Sequence, residues 1–480
     1  MHNSDTLAAN VSVNDQPETT LHFRLPFGGF APFAVMLAVI AVLAVNGMAG
    51  TRQFWVAAYA GIVAGLLLSR NRKEYCEAVV RGFANPNGAV IIVAWIFASI
   101  LGAMVVSAGL VNGILWLGLS SGVTGGAFAL ATFVSAMLFS AGTGTANGTV
   151  LALTPVMYPA GVVLGADPTF LALALLSGAA FGDNVAPISD TTIVSAYSQG
   201  AKMRDVVRSR LPLALPAALV SGIALYFLGS RGGAEVATEN AMFEQAAPDS
   251  LLLLVALAVV IFCALRNMHI IESLFFGTVT AAAIGIATGG LVFADIFHVP
   301  AQRGESTGLV QDAITGVVGA IVFVLLVMAA VQIFRESGLL DKLLALFQRA
   351  VAKTVTTTEL TISGISILIS SIVTSNGAAI LLVGPTVVQR LGESAGLSPS
   401  RRANLMDCGV CSVFYMLPWS IAVLVWHSSV QTTAEAFNIE APPITASLLG
   451  PYPWSLLLVL LFSILTGWNR RTVDQPVKAS

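Results

Sequence analysis

From position 82 to position 201 the sequence contains no Lys or Arg. Soluble domains carry about one charged residue in four, so a stretch this long without a base belongs in lipid, where charge is costly. The rest of the chain agrees: 56% of residues are hydrophobic, only 10% are charged, and the mean hydropathy is +0.84. Apolar runs near the length needed to cross about 30 Å of hydrocarbon recur along it. Among them are Phe33–Val45, Phe54–Leu68, Ala89–Val106, Leu211–Leu228, Leu251–Leu265, Val317–Val331 and Ser455–Leu465, several of which need flanking semi-polar residues to span fully. The expected fold class is therefore an all-α polytopic membrane protein. The first two dozen residues are polar, without the basic start and apolar core of a cleavable signal, and are expected to be a solvated leader.

Inside the base-free stretch, Gly178–Thr192 places two carboxylates and a proline between the apolar run Phe170–Phe181 and the mixed run Ile193–Ala196. In an unbroken helix Asp183 and Asp190 would share one face two turns apart. Pro187 prevents this by removing a backbone donor and clashing with the preceding turn, which frees the carbonyls of residues 183 to 186. Buried ionisable groups usually mark ion or substrate pathways, and no base lies near in sequence, so a bound cation or a proton is expected to neutralise the pair. Freed carbonyls, a carboxylate, Asn184, Ser189, Thr191 and Thr192 are the oxygen ligands a hard monovalent cation needs, at a half-helix C-terminus that favours positive charge. A purely structural alternative stands beside this one: Asp190 ahead of two threonines is also a good helix cap.

The sequence repeats once. Gly109-Leu110 recurs as Gly338-Leu339, Asn147-Gly148 as Asn376-Gly377, Pro155 as Pro385 and Pro187 as Pro418, at offsets of 229, 229, 230 and 231 residues. Repeats of this kind are a common transporter design. Each half reads as apolar helices, a hairpin, a broken helix and a last helix. The arms Ala127–Ser140 and Val150–Val163 flank one Gly-containing tip, and Leu360–Ile372 and Ala378–Val388 flank the other. Short arms with polar tips suit re-entrant segments meeting at midplane, because irregular backbone is tolerated there only when buried or lining a cavity. About five crossings per half remain, an odd number, so the two repeats are expected to be inverted.

With the N-terminus in the cytoplasm, every basic residue except Arg52, Arg231 and Arg303, of 23 in all, falls inside, including the cluster Lys202/Arg204/Arg208/Arg210. The organisation expected is a cytoplasmic tail (1–24), a first transmembrane repeat (25–231), an external loop (232–249), a second repeat (250–469) and a cytoplasmic tail (470–480), with both termini inside a cell's inner membrane.

Thr143, Thr145 and Asn147 at the first tip are candidates to complete the cation's shell. The second half offers Ser375 and Asn376 at its tip and Ser420 after its own break, but lacks the two acids; Asp407 lies one to two turns earlier, near Arg401 and Arg402, which are candidates to neutralise it. One ionic site and one more neutral site follow, the second suited to protons or a small solute. Asn147 and Asn376 also fit as plain turn residues, Glu336 as a paired helix-end charge and His427 as a packed histidine. The Cys408/Cys411 pair has no second pair or His set and reads as helix packing. The glycine-rich first tip follows no strand and precedes no Lys, which excludes a phosphate loop. A net charge of −2 without a basic stripe carries no sign of nucleic acid, and no nucleophile, metal cluster or triad signals an enzyme.

Gly182–Thr192 resembles the signature GDN-x-SPISDTT of the NhaC-type Na+/H+ antiporter family, part of the ion transporter superfamily, with Ala186 in place of Ser. Looser likenesses follow: Leu405–Gly409 resembles LEDSG, Leu417–Trp419 resembles the PW element, and Glu336–Gly338 resembles part of EKTG, while Met406, Val410 and Ser420 depart from the pattern. The resemblance implies inverted repeats with two re-entrant hairpins and sodium held at Asp183, Asn184, Ser189, Asp190 and Thr192, with tip residues such as Asn147 nearby. The function it implies is Na+/H+ antiport by alternating binding of Na+ and H+ at buried carboxylates. A sodium-coupled carrier of a small organic acid or amino acid is the alternative. No cofactor is expected, only transported Na+ and H+; the partners expected are lipid and these ions, with an organic solute and a homodimer left open.

Overall fold

The computed structural model describes residues 21–45, 51–84, 86–187, 189–232, 247–266, 268–297, 308–339, 342, 354–373 and 376–473. Its named elements are all helices. The first half holds α1 (Ala31–Val45), α2 (Thr51–Leu68), a charged helix α3 (Arg72–Phe83), α4 (Pro86–Ser107), α5 (Leu110–Ser121), α6 (Gly125–Thr143), α7 (Ala146–Val163), α8 (Pro168–Val185), α9 (Asp190–Ser198) and α10 (Met203–Gly229). In the second half are α11 (Leu254–Leu265), α12 (Ile270–Ala287), α13 (Leu309–Glu336), α14 (Val355–Val373), α15 (Asn376–Val383), α16 (Gln389–Ser394), α17 (Pro399–Val413), α18 (Ile421–Phe437) and α19 (Pro451–Thr466). The seven apolar runs read from sequence all fall within helices or their flanking turns.

Among the described residues, five segments are long and apolar enough to cross a membrane: Gly125–Thr143, Met203–Gly229, Leu309–Glu336, Val355–Ile372 and Ile444–Thr466. A sixth candidate is Trp95–Ser107 with Leu110–Ser121, bent by 61°. Shorter apolar helices include Gln53–Leu68 and Ile271–Ala287.

The helix starts follow the repeat. Helices beginning at 125, 146, 168 and 190 have counterparts beginning at 355, 376, 399 and 421. The local chemistry repeats as well. Asp167 caps α8 by accepting from Phe170 N (3.0 Å), and Pro168 supplies the favoured first helical residue. Ser398 and Pro399 do the same for α17. Each of these helices ends shortly before a proline, and a serine, Ser189 or Ser420, stands at the start of the half-helix beyond.

Both hairpins form, but with longer arms than expected. α6 and α7 turn at Gly144, whose φ of 68° suits glycine, and α6 is long enough by itself to cross a membrane. In the second half the returning arm runs through α15, a π-helical segment at Gly384–Val388 containing Pro385, and α16. The extra residue per turn absorbs the proline that α7 carries inside its helix as Pro155. Packing exchanges the halves: α15 lies against α9, and α7 against α18, so each hairpin arm covers the other half's break.

Segments expected on one side of the membrane meet. Arg24 N bonds Leu68 O and Arg70 N bonds His22 O, while Ser398 N bonds Arg471 O. Glu336 at the end of α13 takes both Nε and Nη2 of Arg81 in α3 (2.8 and 2.6 Å), the paired helix-end charge expected of it.

Candidate functional site

The break after α8 sits where the sequence places it. The carboxyl group of Asp183, only 3% exposed, lies within reach of four donor groups from three parts of the fold. Ser189 Oγ donates to Oδ1 (2.8 Å). Tyr415 Oη (2.7 Å) and Asn376 Nδ2 (2.9 Å) donate to Oδ2, with Cys411 Sγ at 4.0 Å. Ser189 lies just past the same break, Tyr415 at the second break, and Asn376 at the tip of the second hairpin. Pro187, four residues on, is exposed, so the break reaches the protein surface on one side.

The carbonyls freed by Pro187 are not left for a cation alone. Asp183 O accepts from Thr191 Oγ1 (3.3 Å), Ala186 O from Ser189 N (3.2 Å), and Asn184 O from Arg210 Nη1. Arg210 departs most from the sequence expectation. The sequence groups it with a cytoplasmic basic cluster, yet it is wholly buried in α10 and points to the end of α8. There it pairs with Asp407, donates from Nε to Asn404 Oδ1 (2.9 Å), and reaches Thr192 Oγ1 (2.8 Å) and Ser195 Oγ (3.3 Å). A base absent from the neighbouring sequence is thus supplied by the fold.

Asp407 is accordingly not neutralised by Arg401 or Arg402. Arg401 bonds Glu359 (2.7 Å), which also holds Arg470 (2.8 Å), and Arg402 lies near Glu393 (3.5 Å). Helical geometry explains the difference: residues 401 and 402 lie one and a half turns from 407, whereas α10 crosses α17 at the right height. Cys411 bridges the two acids, with Sγ 3.1 Å from Asp407 Oδ1, and Cys408 Sγ accepts from Asn184 Nδ2 (3.8 Å). Of the cysteine pair read as helix packing, Cys411 therefore faces the carboxylates and Cys408 faces Asn184.

Of the other candidates, Asn184 holds three partners, with its Oδ1 accepting from Tyr452 Oη (3.2 Å). Thr192 is committed to Arg210. Ser420 caps α18 by accepting from Val423 N (3.4 Å). At the first tip, Thr143 Oγ1 donates to Phe139 O (2.9 Å) and Thr145 caps α7 through Gly148 N (3.3 Å); both serve their own hairpin, and Asn147 beside them is half-buried. The tip that reaches Asp183 belongs to the opposite half, and Asn376 joins the ionic site instead of forming a separate neutral one. Asp190 opens α9 one residue after the cap position, which Ser189 takes; its side chain, like Ser375, lies outside the described residues. Sequence reasoning missed Arg210, Tyr415, Cys411 and Tyr452 as site residues. Tyr415 lies three residues before Pro418 at the second break, the one signal that points to it.

A model described as the Na+/H+ antiporter family matches residues 19–230 and 235–461. The malate-2H+/Na+-lactate antiporter of Bacillus subtilis is 22% identical over 387 residues, covering 76% of this chain and 80% of its own. The Na+/H+ antiporter NhaC of Alkalihalophilus pseudofirmus is 26% identical over 321 residues, 63% of this chain and 68% of its own. The arginine/ornithine antiporter ArcD of Halobacterium salinarum is 26% identical over 475 residues, covering 94% of both chains.

Proposed function

This chain belongs to the Na+/H+ antiporter family, and we propose that it exchanges Na+ for H+ across the inner membrane of a cell, with Asp183 as the carboxylate that holds the two ions in turn. As a family member it is a secondary transporter and not an enzyme. The observation that carries the finer proposal is the different treatment of two neighbouring buried acids. Asp407 is paired with a fully buried guanidinium, whereas the donors on Asp183 include the neutral groups of Ser189, Tyr415, Asn376 and Cys411.

Charge balance supports one ion at a time. Among the described side chains around Cys411, two carboxylates and one guanidinium leave one negative charge, which one Na+ or one H+ cancels. Burial favours the uncharged form of a carboxyl group, so proton and sodium compete for the same oxygen, and a loaded site crosses a low-dielectric region more readily than a bare charge. Hydroxyl groups of Ser189 and Tyr415, which donate to an empty carboxylate, turn their lone pairs to a bound Na+ by rotating one O–H bond. Asn184, Thr192 and Arg210 then act as positioning residues for the break. In the inverted arrangement of halves, with both termini cytoplasmic, the tip bearing Asn376 gates this site.

Asp183→Asn is expected to abolish sodium-driven pH change in proteoliposomes while the protein stays folded; full exchange by that variant would refute the role of Asp183. A second reading is kept because ArcD covers 94% of both chains: the same carboxylate couples sodium to an organic solute. Flux of labelled arginine, ornithine, malate and lactate, with and without sodium, separates the two. Solute movement that requires sodium, with no proton movement in its absence, selects the second.

A further inference from the structure

A chamber of about 250 Å³ lies between α4, α7, α13 and α18, and Asp183 is not among its lining residues. Its lining runs from helix ends, at Val106, Asp312 and Phe437, to positions well inside the bundle, at Trp95, Leu151 and Val425. The walls are mainly apolar, with hydroxyls of Ser428, Ser429 and Thr432 along α18. Two polar groups line it besides the hydroxyls. Asp312 is exposed at the first turn of α13, and among the described residues no Lys or Arg lines the chamber with it. The indole of Trp95 is 1% exposed, and its Nε1–H has no hydrogen-bond partner among the described residues. Orphaned buried donors are rare in folded proteins because each forfeits its bond to water.

We propose that this chamber is a binding site for a small organic cation, a protonated amine with an apolar body, whose ammonium group meets Asp312 while the body fills the space toward Trp95. Charge complementarity selects this occupant. A carboxylate at the mouth repels anionic headgroups and free organic acids, and a plain hydrocarbon chain offers nothing to that carboxylate or to the indole N–H. The aromatic face of Trp95 and the apolar helix walls suit an aryl or alkyl body, and an acceptor atom at its far end meets the indole N–H. Because α18 is capped by Ser420, directly after the second break, and α7 forms an arm of the first hairpin, an occupant wedges between two elements that pack across the repeat. Occupancy is therefore expected to slow exchange without touching Asp183.

The test uses the full chain in nanodiscs, with 4-phenylbutylammonium as the probe and 4-phenylbutanol as its uncharged counterpart, titrated calorimetrically against empty nanodiscs. Saturable one-site binding of the amine is expected, weakened about tenfold by Asp312→Asn and lost when Ala103→Phe or Ala313→Phe fills the chamber. Thermal unfolding of each variant reports that it is folded, and the two filling variants come from different helices, so that one survives if the other does not. The alcohol is expected to bind equally to wild type and Asp312→Asn. Binding unchanged by Asp312→Asn and by a folded filling variant, equal weakening of amine and alcohol by Asp312→Asn, or no saturable binding above empty nanodiscs would overturn the proposal.

Discussion

Arg210 and Asp407 form a buried ion pair at a junction of α8, α10 and α17, and separating them tests both the fold and the assignment of the exchanging acid. Removing one partner of such a pair costs about 3–5 kcal/mol, chiefly because a charge is left buried and unpaired. Asp407→Asn leaves the guanidinium with Asn404, Thr192, Ser195 and the Asn184 carbonyl, so its cost falls at the low end, about 3 kcal/mol. Arg210→Gln strands Asp407 and also withdraws the donors to those groups, for about 4 kcal/mol or somewhat more. In the double variant the charge penalty disappears while Asn404, Thr192 and the end of α8 still lack their donor. Its cost is expected at about 4–5 kcal/mol, not the additive sum of about 7, an interaction energy of about 2–3 kcal/mol.

The double-mutant cycle is read by reversible unfolding in mixed micelles, followed by tryptophan fluorescence. Proteoliposomes then report function. Because the double variant keeps the same net charge and keeps Asp183, it is expected to retain measurable sodium-driven proton movement where Asp183→Asn has none. Additive single effects would refute the pairing. A folded double variant as inert as Asp183→Asn would refute the assignment of exchange to Asp183 without the pair.

Three further outcomes are expected. Tyr415→Phe removes the hydroxyl 2.7 Å from Asp183 whose lone pair turns to a bound Na+, and should weaken apparent sodium affinity about tenfold in flux assays while the fold persists. Gly182→Ala puts a methyl 2.2 Å from Ser140 Cβ and 2.5 Å from Ala141 N, so α6 and α8 must separate; about 1–3 kcal/mol of destabilisation and reduced exchange should appear in unfolding and flux measurements. Cys76 is the exposed cysteine of α3, whereas Cys408 and Cys411 are buried; an impermeant maleimide should label Cys76 in inside-out vesicles and not in intact cells, and the reverse pattern would invert the proposed orientation.

Length, hydropathy and the GDN–Pro–SDTT segment are local properties, and they determine the helices, the break after Val185 and the placing of Asp183 at it. Proline acts on its own turn and a cap acts on its own helix end, so Asp167, Ser189, Ser398 and Ser420 take their positions from the sequence alone. The repeat, too, needs only residue spacing to be seen.

The contents of the site depend on tertiary contacts. Arg210 sits among Lys202, Arg204 and Arg208, and nothing in that run distinguishes the residue buried against α8 from the others. Only the crossing of α10 over α17 makes it the counter-ion of Asp407. Asn376 and Tyr415 reach Asp183 from 193 and 232 residues away, because each hairpin arm packs against the other half's break. Helix geometry is set within a few residues, whereas a buried charge takes its partner from whichever helix crosses at its depth. The sequence alone thus located the acid at the break, and the packing of two repeats decided which charges and donors surround it.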